Sequence, residues 1–413
     1  MATASSPKVS RFRAIREDNL NRFYTRYEVG DLLTAQIANR NIRTVIDLGA
    51  GNGSLSGAVC KWSSNAEAVT VDIDPACVEP LRSCLLNSGA VRHTHICHDV
   101  FDPKLPNVLG LDNFFDLAVC NPPFFRPEWK RDYADILQSA RLEDACVTVA
   151  DVSAEIIFLA QNLRLVRSGG IVAMIMPDGM ITGYRAKSLR SAIIANHRID
   201  CVLQLPQNSF HDTDARCFII FITKEAHQCD KIKLLRYDAL DGLLESIFVS
   251  KADGEQRLDY DYHSSKIDHG KEVTTLRHLG AEVVRGSVGT VEARDSRYPI
   301  FHTSDYLASE SGLINLPSAM PMLENKKLVV AQAGDILMAR VDRKLHEKVG
   351  MVVSGMAAIT DCVYRIRLPI DAQEVALKAL RSREGAARLK AVSKGVSARL
   401  LGKADLLDMP LNL

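Results

Sequence analysis

Short apolar runs recur between residues 43 and 224, spaced so that most pairs leave room for a helix. The runs are Thr44-Val45-Ile46, Ala68-Val69-Thr70-Val71, Thr94-His95-Ile96, Phe115 to Val119, Gly170 to Met176, Asp200 to Leu205 and Cys217 to Ile222. Helical patterns fill the intervals at Pro75 to Leu86, Ala154 to Val166 and Tyr184 to Ala195. This alternation predicts a doubly wound, Rossmann-like α/β sheet. The last two runs have no helix between them, which predicts a terminal antiparallel strand. Residues 1–40 read as helical, ending in the amphipathic stretch Glu28 to Ala38.

The texture changes after Lys224. Residues 231–270 are polar and mixed, with weak strand signals at Ile232 to Leu235 and Ser246 to Val249, and are expected to form a linker. A second domain is expected over 271–413, with turns at Arg285-Gly286-Ser287 and Ala333-Gly334-Asp335, a strand at Ile336 to Ala339, and a helical tail from Ala372 to Leu400. The expected division is a helical segment over 1–40, an α/β domain over 41–230, the linker, and an α+β domain.

At 413 residues and 47% hydrophobic content, the chain can bury two or three cores. No apolar stretch is long enough for a membrane span, and Met1 to Leu20 lacks an apolar signal core. Ten scattered cysteines without a C-x-x-C pair suit reduced core thiols in the cytoplasm. A net charge of +1 gives no overall nucleic-acid signature, although a partner feels local patches rather than totals. The run His93-Thr94-His95-Ile96-Cys97-His98 lies on a predicted strand, where alternate side chains face opposite sides, so no metal site is expected. Ser54 and Ser56 have no evident His–Asp partners for hydrolysis.

The first chemical signal is Asp47-Leu48-Gly49-Ala50-Gly51-Asn52-Gly53. Glycines after a strand end let the chain turn tightly into a helix near Ser54, and they open the backbone to a ligand at the helix N-terminus. A nicotinamide cofactor would call for G-x-G-x-x-G with pyrophosphate on the helix. Here Ser54 takes the third glycine's place and an acid precedes Gly49 by two residues. That carboxylate would repel a pyrophosphate but suits the ammonium of a methionine moiety, which favours S-adenosylmethionine. Asp72, at the end of the second run, can accept from ribose hydroxyls. Asp99, after the third, is placed to accept from the adenine amine.

The second signal is Asn121-Pro122-Pro123-Phe124. The prolines lack N–H donors and fix φ. The Asn121 side-chain oxygen and the Pro122 carbonyl are left as two acceptors aimed at one point. An amine donating to both is drawn out of conjugation, and its lone pair becomes available for methyl transfer. Phe124 would stack on the base that carries the amine.

In this order, the two motifs resemble the γ-class N6-adenine DNA methyltransferases. Asn21-Arg22-Phe23-Tyr24-Thr25 is similar to that family's N-terminal segment, which closes over the methionine end, with Arg26 in place of the usual proline. Pro177-Asp178-Gly179, Leu205-Pro206 through Phe210, and the Cys217 to Lys224 run resemble the type I modification-subunit pattern. The likeness covers residues 20–224. It implies an adenine flipped out of double-stranded DNA. The cofactor set implied is Tyr24, Thr25, Asp47, Gly49, Ala50, Gly51, Asp72, Ile73, Asp99 and Asn121.

Leu258-Asp259-Tyr260, Leu276 to Gly280, Arg285-Gly286, Gly334 to Arg340 and Leu407 to Leu411 are similar, in order, to a type I restriction specificity half. They imply a target recognition domain. Basic residues cluster at Arg340, Arg343, Lys344 and Lys348. From Arg381 to Lys403, seven Lys or Arg face one acid, Glu384. Arg340, Arg343, Lys344, Arg388, Lys390 and Lys394 are the expected DNA contacts. One recognition module fused to one catalytic domain suggests a self-contained enzyme. Monomer, homodimer and a separate restriction endonuclease all remain open. The same NPP[YF] chemistry also serves RNA guanine and protein glutamine acceptors, although the long tail argues against the compact glutamine enzymes. An inert, specificity-like binding protein is argued against by the intact Asp47, Gly49, Gly51, Asn121, Pro122 and Phe124.

Overall fold

The structure, a computed structural model, describes residues 27–90, 92–110, 114–206, 209–210, 216–238, 242–266, 274–296, 298–306, 312–317, 328–395 and 398–412. The apolar runs become strands β1 (Thr44–Leu48), β2 (Glu67–Asp72), β3 (Arg92–Cys97), β4 (Phe115–Cys120), β5 (Val166–Pro177), β6 (Arg198–Gln204) and β7 (Cys217–Thr223). Two more follow, β8 (Lys231–Asp238) and β9 (Leu243–Ser250). All nine join one sheet in the order β3-β2-β1-β4-β5-β7-β6-β8-β9. β1, β4 and β7 are buried along nearly their whole length, as strands covered on both faces must be.

The helices are α1 (Tyr27–Gln36), α2 (Ser54–Trp62), α3 (Val78–Asn87), α4 (Leu105–Leu109), α5 (Asp132–Ser139), α6 (Ala154–Leu165), α7 (Asp178–Thr182), α8 (Lys187–Asn196), α9 (Lys251–Gln256) and α10 (Tyr260–Lys266). Val29, Leu33, Leu55, Val59, Leu81 and Leu85 bring α1, α2 and α3 onto one core of the sheet. Tyr133, Ile136, Ile157, Leu163, Leu189 and Ile193 bring α5, α6 and α8 onto the other.

Two expectations are corrected. β7 is antiparallel, but it is not terminal: it lies between β5 and β6, and the sheet continues past β6. The expected linker over 231–270 is also not one. β8 pairs with β6 in parallel, β9 returns beside β8, and α9 and α10 follow. The polar texture arises because β9 is an edge strand with little buried surface, while Ile232, Leu234 and Leu235 of β8 are buried.

The second half builds a five-stranded sheet that includes Ile336–Ala339 and Val363–Arg367, a three-stranded sheet, and two short pairs. Its own core includes Leu276, Ile336, Met338, Ile366, Leu380 and Leu389. The helical tail does not run to Leu400. It is two helices, Ile370–Arg381 and Arg383–Val392, followed by the short strand Arg399–Leu400. Ser382 ends the first helix and caps the second, its hydroxyl accepting from the Gly385 amide at 2.9 Å.

Buried charges join the halves. Arg257 donates to both oxygens of Asp259 at 2.8 Å and to the Val392 carbonyl at 3.1 Å. Arg216 holds Asp178 Oδ1 at 2.5 Å, and Asp178 Oδ2 accepts the Gly395 amide at 2.9 Å.

Candidate active site

Strand register sets the site. β1 lies parallel to β4 with Asp47 opposite Val119, and parallel to β2 with Leu48 opposite Val71. Continuing both strands, Gly49 falls between Asp72 and Asn121. With strands about 4.8 Å apart, these three make one row across the carboxyl edge, where such sheets bind ligands. β3 extends the row, since Cys97 lies opposite Asp72 and Asp99 follows two residues later.

The glycine loop is pinned from below. The Gly49 and Ala50 amides donate to the Val71 carbonyl at 2.8 and 3.1 Å. The Gly51 amide donates to Asp72 Oδ2 at 2.8 Å, and the Asp74 amide donates to Oδ1 at 2.9 Å. Gly49 has φ +72°, and a Cβ there would lie 3.1 Å from the Phe158 ring, so a side chain would be both strained and crowded. Asn52, which the sequence did not single out, braces the turn into α2: its Oδ1 accepts the Ser54 hydroxyl at 2.7 Å and the amide at 3.3 Å.

Asp47 is only 2% exposed, and its Oδ2 accepts the Ser56 amide at 3.2 Å. Burial pushes its carboxyl up to about 7, against the lowering effect of the Ser56 bonds. It holds the first turn of α2 against the end of β1. Ile73 stands 52% exposed on the rim beside Asp72. Asp99 is half-buried, with Oδ1 accepting the Phe101 amide at 2.9 Å. Tyr24 and Thr25 lie outside the described residues.

The acceptor loop leaves β4 at Asn121 without regular structure as far as Lys130. Pro122 is buried, and Pro123 and Phe124 are half-buried. The Cys120 thiol donates to the Leu48 carbonyl at 3.1 Å, tying the two strand ends together. Further along, the Phe125 carbonyl accepts the Ala154 amide at 3.0 Å, and Arg126 Nη1 donates to the Ala150 carbonyl at 3.1 Å. Phe124 packs towards the α1–α2 core. Phe125 meets Phe101 edge-on at 5.9 Å, Phe101 meets Phe158 at 5.6 Å, and Trp129 meets Tyr133 at 5.9 Å. This aromatic wall was not legible beforehand, because its members share no sequence spacing.

The histidine run carries a different pairing. Thr70 Oγ1 bridges His93 Nε2 at 2.9 Å and His95 Nδ1 at 3.0 Å. Among the described residues, no group of three or more His, Cys, Asp or Glu could hold a metal. None of the described helices is long and apolar enough to cross a membrane.

The six expected DNA contacts differ in what holds each of them. Arg340 Nε donates to the Asp361 carbonyl at 2.6 Å, and Lys394 lies 3.3 Å from Asp405. Arg343 and Lys344 are exposed, with Lys344 Nζ 3.6 Å from Glu347. Arg388 Nη1 donates to the Pro410 carbonyl at 2.9 Å and to Asn412 Oδ1 at 2.8 Å. Arg388 and Lys390 do share a cleft, together with Arg216, Arg236 and Arg399, which sequence reasoning missed.

Comparison with known proteins bears on this arrangement. A type I restriction enzyme MpnII methylase subunit from Mycoplasma pneumoniae is 26% identical over 125 residues, covering 29% of this chain and 22% of that one. A ribosomal RNA large subunit methyltransferase G from Magnetococcus marinus is 33% identical over 104 residues, covering 24% and 27%. The matched stretches thus span about a quarter of each relative's length. The solved type IIG restriction endonuclease BpuSI shares the fold with a TM-score of 0.54, covering 94% of this chain and 59% of that one at 15% identity. A match to the family described as N-6 DNA Methylase runs over residues 9–246, more than half the chain. It takes in the glycine loop, the acceptor loop and the sheet that sets them side by side, and the chain belongs to that family.

Proposed function

We propose that this protein is an S-adenosylmethionine-dependent methyltransferase acting on N6 of an adenine flipped from double-stranded DNA, within a restriction-modification or similar system. The carrying observation is the row Asp72, Gly49 and Asn121, which sets a ligand cradle beside a two-acceptor loop.

The residues fit the cofactor. Gly49 lets the chain turn at φ +72° beside Asp72, Asp72 offers carboxylate oxygens at the ribose position, and Ile73 offers an exposed apolar face to the adenine. Asp99 is set to accept from the adenine amine, and Tyr24 and Thr25 are assigned to the methionine end on the sequence resemblance alone. When bound, S-adenosylmethionine supplies an electrophilic methyl on a sulfonium. The Asn121 side-chain oxygen and the Pro122 carbonyl accept from the target amine and free its lone pair, while Pro123 holds the loop rigid. Phe124 supplies a face for the base. The amine sheds its proton during or after transfer, so no charged base is required. Holding both partners in place supplies much of the acceleration.

Residues 271–413 serve in this reading as the target recognition domain, with Arg340, Arg343, Lys344, Arg388, Lys390 and Lys394 near the phosphates. The protein works in the cytoplasm, as a monomer or a homodimer, with or without a separate endonuclease. An RNA acceptor is the second reading, favoured by the ribosomal RNA methyltransferase relative. Single-molecule sequencing of DNA from a methylation-deficient bacterial host expressing the chain decides between them. N6-methyladenine at one short motif is expected. Unmodified DNA, with the purified protein still binding S-adenosylmethionine, would overturn the DNA reading and favour RNA.

A further inference from the structure

A cleft of about 680 Å³ opens between the carboxyl ends of β6 and β8 on one side and the Arg383–Val392 helix on the other. Arg216, Arg236, Arg388, Lys390 and Arg399 line it, against the carboxylates Asp238 and Asp261. Two of the five cations are already neutralised. Arg216 is paired with Asp178, and Arg236 with Glu245 at 2.6 Å and Asp261 at 3.1 Å.

The others come from the second half, and the bonds of its two arginines go to neutral groups. Arg388 bonds the Pro410 carbonyl and the Asn412 side chain. Arg399 Nη1 donates to the Lys390 carbonyl at 2.9 Å and to Ser393 Oγ at 3.1 Å. A guanidinium carries five donors, so most of those on Arg399 remain for a ligand. Burial and the nearby Arg216 guanidinium hold the Arg399 pKa below its ordinary value. Asp178 and Asp261 oppose that lowering, while the Arg399 hydrogen bonds go to the Lys390 carbonyl and the Ser393 hydroxyl.

We propose that this cleft seats a backbone phosphate of the DNA strand, with Lys390 and Arg399 as its ligands. The proposal rests on the reading that the chain acts on DNA. Two features support it. The wall is pre-organised: Arg257 holds the Ala391 and Val392 carbonyls, Arg216 holds the Ser393 carbonyl, and Asp178 holds the Gly395 amide. Lys390 thus stands directly beside backbone locked by buried charges, and little ordering is left for binding to do. The cleft also lies on the same sheet edge as Asn121. β6 is three places from β4 in the sheet order, about 14 Å at the usual strand spacing.

Binding of a labelled DNA duplex across a salt series tests this without reference to methylation. Each phosphate contact contributes about 0.9 to the slope of log affinity against log salt. Lys390→Ala should flatten the slope by about 0.9, and the Lys390→Ala, Arg399→Gln double variant by about 1.8. S-adenosylmethionine binding and thermal melting show whether each variant is folded. The single variant alone decides the matter if the double variant is not. An unchanged slope in folded Lys390→Ala would overturn the proposal, as would a wild-type protein that binds no duplex DNA. A slope change seen with an RNA duplex but not with DNA would overturn the DNA assignment. Methylation of host DNA is scored separately. A flattened slope without methylation leaves the seat standing and removes the enzymatic reading, and methylation with an unchanged slope does the reverse.

Discussion

Asp47 and Asp178 stand at the carboxyl ends of two strands in the same sheet, and both are almost completely buried. Asp47, under the glycine loop, has backbone and hydroxyl donors from Ser56 and no cationic partner among the described residues, and burial lifts its carboxyl to about 7. Asp178, at the junction of the halves, is held by Arg216 at 2.5 Å, by the Thr182 hydroxyl at 3.0 Å and by the Gly395 amide. Its neighbour Asp259 sits in the same network; although burial alone would raise its carboxyl, Arg257 and Arg216 hold it below the ordinary range. The glycine-loop edge thus keeps an acid held by neutral donors, while at the junction Asp178 and Asp259 are paired with Arg216 and Arg257. The difference separates an acid held by neutral donors from acids fixed by ion pairs.

Breaking a junction pair should give the largest effect. Arg257→Met leaves the Asp259 carboxylate buried and short of its bidentate partner, and frees the Ala391 and Val392 carbonyls. Removing one partner of a buried pair costs about 3–5 kcal/mol, and chemical denaturation should read a loss of that size. A loss near zero would mean that the two halves are not held together by this network.

Asp47 sharpens the comparison through pH. Its pKa is 3.8 unfolded and about 7 folded, so between these values the folded chain holds a proton that the unfolded chain has released. Its contribution to stability is therefore greatest below about pH 4, declines as pH rises to about 7, and levels off above. The decline reaches at most about 1.4 kcal/mol per pH unit. Asp47→Asn keeps an acceptor for Ser56 and should remove this component from a stability–pH profile. An unchanged profile in that variant would mean that Asp47 titrates normally.

Asn121→Ala tests the other side of the cofactor edge. Losing one preorganised partner of the reacting group typically costs about 10²–10³ in rate. Methyl transfer should fall by that factor or more, while S-adenosylmethionine affinity stays unchanged. A drop in cofactor affinity alone would place Asn121 in the cradle rather than at the acceptor.

These regions also differed in how readable they were. The glycine loop and the acceptor loop declare themselves because each needs particular residue types in consecutive positions, and strand register then sets them side by side. The junction does not. Asp178, Arg216 and the Arg257–Asp259 pair converge from three places in the chain, and the carbonyl partners in the Arg383–Val392 helix could have been supplied by any residue type. β8 and β9 gave only weak strand signals and were read as part of a linker for a related reason: a half-covered pair at a sheet edge carries few buried positions. The basic residues of the tail were visible as a count, but whether a cation faces a cleft or a backbone carbonyl depends on packing across the two halves. Arg388 and Lys390 reach the shared cleft, whereas Arg340 is spent on Asp361.

The smallest effect comes from a pair that copies the Arg257–Asp259 geometry on the surface. Arg277 donates to both oxygens of Asp408 at 2.6 and 3.1 Å, but the two side chains are 55% and 50% exposed. Water solvates each ion when the other is removed, and exposed pairs contribute little once side-chain ordering is counted. Arg277→Met should therefore leave the denaturation midpoint within error of the wild type, while Arg257→Met shifts it strongly. The two pairs share donor, acceptor and bidentate pattern, and differ in burial and in the carbonyl and Tyr262 ring contacts that Arg257 also makes. A clear shift from Arg277→Met would mean that the contact works by clamping Leu407 to Arg277, whose amide donates to the Leu407 carbonyl at 3.1 Å. The test for that is Asp408→Asn, which keeps a hydrogen-bond acceptor for Arg277 and removes the charge.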